Sequence, residues 1–198
     1  MREPLISLKE TRELLMQDER VKELVAILCE THAVWMKDYG PHHAVLDTTA
    51  RSRIFFCHFY SLAHAALDDR EGILFGDDQQ QKYISFDGRA SIRLKKFGRQ
   101  FQTRNYPTPH AVEWTKQASL DGMPPVGRLE LGYRFDLLEI AIRDIFITHP
   151  NGVRGIYNDW VWQIYGEPIG DTFGIQGILL NKLSPDDVYW YDNFALSK

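Results

Sequence analysis

Apolar positions recur at helical spacing through the first third of the chain, and then at a spacing near two through much of the remainder. Ser7 and Glu10 form an S-x-x-E capping box, which predicts a helix starting near Leu8. The helical pattern runs to about Asp38 with a break near Asp18, and Leu24, Ile27, Leu28, Thr31 and Trp35 supply its apolar stripe. Tyr39-Gly40-Pro41 ends it, since proline cannot continue a helix. The next helix is expected over residues 44–67. At about 100° per residue, Phe55, Phe56, Phe59, Leu62, Ala63, Ala66 and Leu67 share one arc. Arg51, Arg53, Cys57, His58, Tyr60, Ser61 and His64 occupy the other side, so this helix should dock through its phenylalanines and turn cations away from the core.

After Asp68-Asp69-Arg70-Glu71-Gly72 the period changes. Residues 82–86 and 89–97 read as a hairpin around Asp87-Gly88. In its second strand Ile92 and Leu94 point one way, Arg89, Arg93 and Lys95 point the other, and Lys96 falls on the apolar side near the end. Residues 105–109 read as a loop, with Thr108 capping a short helix that begins at Pro109 and carries Val112 and Trp114. A three-stranded meander over residues 128–135, 140–148 and 153–165 follows. Its middle strand slips register at Asp144, where a bulge would reconcile Ile142 with Ile145. Phe173, Ile175, Ile178, Leu179 and Leu183 suggest one more packed element, and residues 188–194 are aromatic enough to need burial. The prediction is one α+β domain over residues 1–198, helical to about residue 70 and β-rich beyond. Its helical half packs on a twisted antiparallel sheet made of a hairpin plus a three-stranded meander.

Composition narrows the class of protein. The 198 residues are 44% hydrophobic and 25% charged, which suits a globular chain rather than a disordered one. Charges interrupt every apolar run well before about 18 residues, so no membrane span is expected. Cys29 and Cys57 sit in helical patterns and read as two buried, reduced thiols of a cytoplasmic protein. The net charge of −4 is unevenly spread. Arg89, Arg93, Lys95, Lys96, Arg99 and Arg104 follow one another with no acidic residue between them, whereas Asp159, Glu167, Asp171, Asp186, Asp187 and Asp192 face only Lys182 and Lys198 after Gly155. A basic centre and an acidic tail suit an anionic ligand and a basic partner, or simply neutralise each other across the fold.

The chemistry-bearing motifs are few. Phosphate-binding glycine loops, G-x-S-x-G and H-E-x-x-H are absent from the sequence. No metal or cofactor is expected: His58 and His64 are six residues apart on a helix and diverge by about 120°. A nuclease of the PD-(D/E)xK type would need an E-x-K on a strand, which Lys95 lacks. What remains is a basic and aromatic set. Arg51, Arg89, Arg93, Lys95, Lys96 and Arg104 are candidate phosphate contacts, with Tyr106 placed to stack on a base. His58, His64 and Arg53 are candidate catalytic residues for metal-independent RNA cleavage, histidine moving the proton and arginine stabilising the phosphate. The bland alternative is a solvated helix and strand face.

Residues 53–60, 92–96, 104–108, 128–133 and 160–164 together resemble a group of bacterial and prophage proteins encoded beside regulators that join a Cro-type helix-turn-helix to an ImmA/IrrE-like zinc peptidase. The likeness spans roughly residues 51–167. It implies a toxin–antitoxin or phage-defence module, of the RosmerTA type among others, with this chain as the toxin-like effector and the helix-turn-helix/peptidase protein as its partner. It assigns no catalytic residues. The other class of function open to the sequence is a non-enzymatic protein-binding or regulatory module.

Overall fold

The computed structural model describes residues 6–78, 81–98, 101, 103, 109–117, 126–151 and 158–166. Helix α1, Leu8–Met16, opens on the Ser7/Glu10 capping box, both of whose hydrogen bonds form. The expected break is present: Asp18 and Glu19 take positive φ before α2, Arg20–Asp38. Helix α3, Thr48–Leu67, starts four residues later than expected because Asp47 caps it by accepting from the Ala50 N–H at 2.8 Å. An N-cap carboxylate satisfies one of the donors that a helix start leaves open.

The strands are β1 (Ile73–Asp78), β2 (Gln81–Phe86), β3 (Ala90–Lys96), β4 (Gly127–Phe135), β5 (Ile142–Pro150) and β6 (Asn158–Gly166). They form one sheet in sequence order, antiparallel throughout except for β3 and β4, which run parallel. That parallel step corrects the expected all-antiparallel sheet. It needs a crossover, and the short helix α4, Pro109–Lys116, lies in it. Strand β1 was not foreseen. Its Gly76 removes a side chain where the Tyr83 ring lies across the strand: a Cβ there would come 2.1 Å from Tyr83 Cζ. The predicted slip in β5 is present, since Arg134 pairs with Asp144 but Phe135 with Ile142, leaving Arg143 as the extra residue.

Helices α1 to α3 cover one face of the sheet. Leu24, Leu28, Phe55, Phe59 and Leu67 meet Ile84, Ile92, Leu94, Leu129, Leu131 and Ile147 there in one apolar cluster. Tyr60, expected on the polar side of α3, is buried instead because its hydroxyl finds partners: it donates to the Lys82 carbonyl at 2.5 Å and accepts from the Leu94 N–H. Ala66, expected in the core, is exposed, and so is Cys57, while Cys29 is half-buried; both thiols are free. The other face of the sheet carries a smaller cluster of Phe97, Phe101, Phe146 and Val161, with Trp114 of α4 beside it over Arg93. No described helix is long and apolar enough to cross a membrane.

Candidate functional site

The end of the sheet where β3 finishes and β4 turns into β5 gathers unlike charges over aromatic rings. Phe55 stacks on Tyr133 at 4.7 Å between centroids, Phe135 meets both edge-on, and Trp35 closes the side. Above these rings Glu139, in the β4–β5 turn with φ of 56°, aims its carboxylate inward. Lys96 Nζ donates to Glu139 Oε1 at 2.6 Å, and Arg51 Nη1 donates to Oε2 at 3.2 Å. His43 Nε2 lies 3.2 Å from the same Oε2 and also contacts Arg51 Nη1. A protonated Nε2 donates to Glu139, whereas a bare Nε2 accepts from Arg51, so the imidazole tautomer selects one contact or the other.

Each partner is placed by its own element. Arg51 stands in the first turn of α3, where Nη2 also reaches Thr48 Oγ1 at 3.3 Å, and its Nε is buried without a partner among the described residues. Lys96 ends β3 on the helix-covered side, as its parity predicts, with Nζ 5.1 Å from the Phe135 centroid. Burial of Glu139 acts to raise its pKa, but hydrogen bonds from Lys96 and His43, with the charges of Lys96 and Arg51, outweigh it and hold the carboxyl below its ordinary value. The result is a shallow notch of about 10 Å³, room for a water or a single anionic oxygen, lined by Arg51, Lys96 and Glu139 on rings. Two fixed cations against one carboxylate leave it locally positive.

The other candidate residues are distributed differently. The expected continuous basic surface does not form, because α3 packs on one face of the sheet while Arg93 projects from the opposite one. Arg93 is 2% exposed. It donates to Glu130 Oε1 through Nη2 at 2.6 Å, and its guanidinium lies 4.8 Å from the Trp114 ring. Helix α4 covers a strand face whose alternation reads as solvent-facing. Lys95, on that same face, is half-buried; burial and then the Arg93 charge push its pKa down to about 8, against the pull of Glu130. Arg89 is exposed at the β2–β3 turn. Arg104 and Tyr106 lie outside the described residues.

The three catalytic candidates are not brought together. His58 sits 3.4 Å from the Tyr39 hydroxyl, edge-on to that ring. His64, exposed near the helix end, faces Asp68 at 3.4 Å and the Phe75 ring. Arg53 is exposed with its guanidinium over Phe56. Arg51 and His64 are separated by about 20 Å of helix. Among the described residues no group of three or more His, Cys, Asp or Glu is placed to hold a metal ion.

No family model, curated protein or solved structure matches the chain. The site therefore stands on its geometry alone. Its two unforeseen members, His43 and Glu139, come from a turn and a hairpin tip. The one sequence signal for Glu139 is a lone carboxylate inside Leu137-Leu138-Glu139-Ile140.

Proposed function

We propose that this chain is an effector that acts by binding a phosphate-bearing target, with single-stranded RNA as the target class, through the notch formed by Arg51, His43 and Lys96. The observation that carries the reading is the convergence of these side chains from three separate elements on one carboxylate. Such an arrangement holds an anion, and Glu139 occupies the position that a phosphate oxygen would take. The notch is too small for a base, so recognition is of the backbone. The proposal is one of binding; the described histidines do not form an acid–base pair across a shared position. A toxin-like role, implied by the resemblance to proteins beside helix-turn-helix/peptidase regulators, is the biological context proposed for it.

The test is a titration of labelled single-stranded RNA at low salt with wild type, Arg51→Ala, Lys96→Ala and Arg53→Ala, each checked for folding by circular dichroism. Loss of one charge-assisted contact should weaken binding about tenfold for Arg51→Ala and Lys96→Ala. Arg53→Ala, exposed on the same helix but outside the notch, should stay within about twofold of wild type, a difference under 0.5 kcal/mol. Equal affinities for all four proteins, or no binding at about 100 μM, would overturn the proposal. Induced expression in a bacterial host extends the test: growth arrest by wild type and relief by Arg51→Ala are expected.

A further inference from the structure

The turn that delivers Glu139 to the notch also carries the most exposed large apolar side chains of the described chain after Val45. Leu137 is 93% exposed, Leu138 71% and Ile140 53%. Glu139 turns inward and these three turn outward, so the tip presents an uncovered apolar surface directly beside a positive notch. Val45, also exposed, stands two residues from His43, whose side chain touches Glu139. Contiguous apolar surface of this kind marks a site that something covers.

The path of the chain indicates what that is. Strand β6 ends at Gly166, paired with Asp144, two residues along β5 from Ile142, where that strand begins after the tip. The chain therefore leaves the sheet at the same end as the notch. Thirty-two residues follow, 167–198, carrying Glu167, Asp171, Asp186, Asp187 and Asp192 against Lys182 and Lys198, five negative side chains to two positive. Residues 186–194 interleave those carboxylates with Val188, Tyr189, Trp190, Tyr191 and Phe194. Carboxylates beside aromatic side chains complement cations beside leucines. At about 3.3 Å per residue the stretch before residue 186 reaches much further than the few strand spacings required.

We infer that residues 186–194 dock in cis on the β4–β5 tip, their aromatic side chains against Leu137, Leu138 and Ile140, with one of Asp186, Asp187 and Asp192 competing with phosphate for Arg51 and Lys96. The segment is an autoinhibitory cover of the proposed RNA site, and the inference rests on that reading for its consequence but not for the contact. Release of the cover by a partner would open the notch.

The experiment uses the full chain as wild type, as Trp190→Ala/Tyr191→Ala and as Asp186→Asn/Asp187→Asn. Hydrogen exchange followed by mass spectrometry reads residues 136–141, and RNA titration reads the notch. Removing the aromatic pair should speed exchange of the tip at least about fivefold, corresponding to about 1 kcal/mol of lost protection. Both tail variants should bind RNA about tenfold more tightly than wild type. Tip exchange unchanged in the Trp190→Ala/Tyr191→Ala protein overturns the docking. Faster tip exchange without RNA binding by any variant upholds the docking and overturns the RNA reading of the notch. Tip protection that appears only with rising protein concentration and a doubled mass overturns docking in cis in favour of exchange between two copies.

Discussion

His149 shows how a single residue couples this fold to pH. Its ring is buried against Trp160 at the end of β5; Nδ1 lies 2.8 Å from Asp159 Oδ2, and Nε2 is buried without a partner among the described residues. Asn151 holds the other oxygen of that carboxylate. Burial lowers the imidazole pKa, and it prevails over the charge and hydrogen bond of Asp159, which act to raise it. The folded state therefore favours the neutral ring, while the unfolded chain takes up a proton near pH 6.5. Between the unfolded value and the lower folded one the unfolded state binds more protons, so stability rises with pH. His149 thus contributes fully above about pH 6.5, and its contribution is lost as the pH falls towards the folded pKa. His32 carries a shift of the same direction, caused by burial and opposed by Asp136, so His149 accounts for part of the fall. Urea midpoints measured at pH 7.0 and 5.5 should drop for wild type and drop less for His149→Gln, whose amide can still donate to Asp159. An equal drop in both proteins would show that the ring titrates as it does in the unfolded chain.

Among the elements, the pairing of β3 with β4 joins the N-terminal hairpin to the meander, and it is held on its α4 side by a charge pair. Arg93 and Glu130 are directly opposite in the parallel register, with side chains 3% and 2% exposed. Removing one member strands the other in a low-dielectric site, a loss of about 3–5 kcal/mol, whereas replacing both with apolar residues of similar size is close to neutral. Glu130→Ala should therefore lower stability by that amount in chemical denaturation, and Arg93→Met/Glu130→Leu should recover most of it. If the double variant is as weak as the single one, the pair itself, rather than avoidance of a buried charge, stabilises the parallel step. The same pair marks where sequence stops being sufficient. The capping box, the break at Asp18, the Asp87-Gly88 hairpin and the slip at Asp144 were all legible, because each is written within a few adjoining residues. The cover over Arg93 was not. Alternation of cations with Ile92 and Leu94 describes a half-solvated strand, and only the crossover through α4 puts Trp114 over that face. Of the notch, the inward parity of Lys96 and the polar side of α3 bearing Arg51 were legible. Their meeting was not, because it depends on Glu139 arriving from a tip some 40 positions further on.

At the scale of the whole molecule, the net charge of −4 opposes polyanion binding, so attraction must come from the notch and not from the overall field. This sets a quantitative expectation for salt. Each phosphate neutralised on a single strand contributes about −0.7 to the slope of log affinity against log salt. Arg51 and Lys96 provide two such contacts, so wild type should show a slope of about −1.4. Lys96→Ala should reduce it to about −0.7. Lys95 and Lys96 are neighbours in sequence but face opposite sides of β3, Lys95 towards Arg93 and Glu130 and Lys96 towards Glu139. Lys95→Ala should therefore leave the slope at the wild-type value even where it lowers stability. A fluorescence-anisotropy series at several salt concentrations between about 50 and 200 mM separates the two variants. Equal flattening by both substitutions would mean that the strand attracts RNA as a diffuse basic run, with no role for the geometry of the notch. A slope several times steeper than two contacts allow would place the binding surface on cations beyond Arg51 and Lys96.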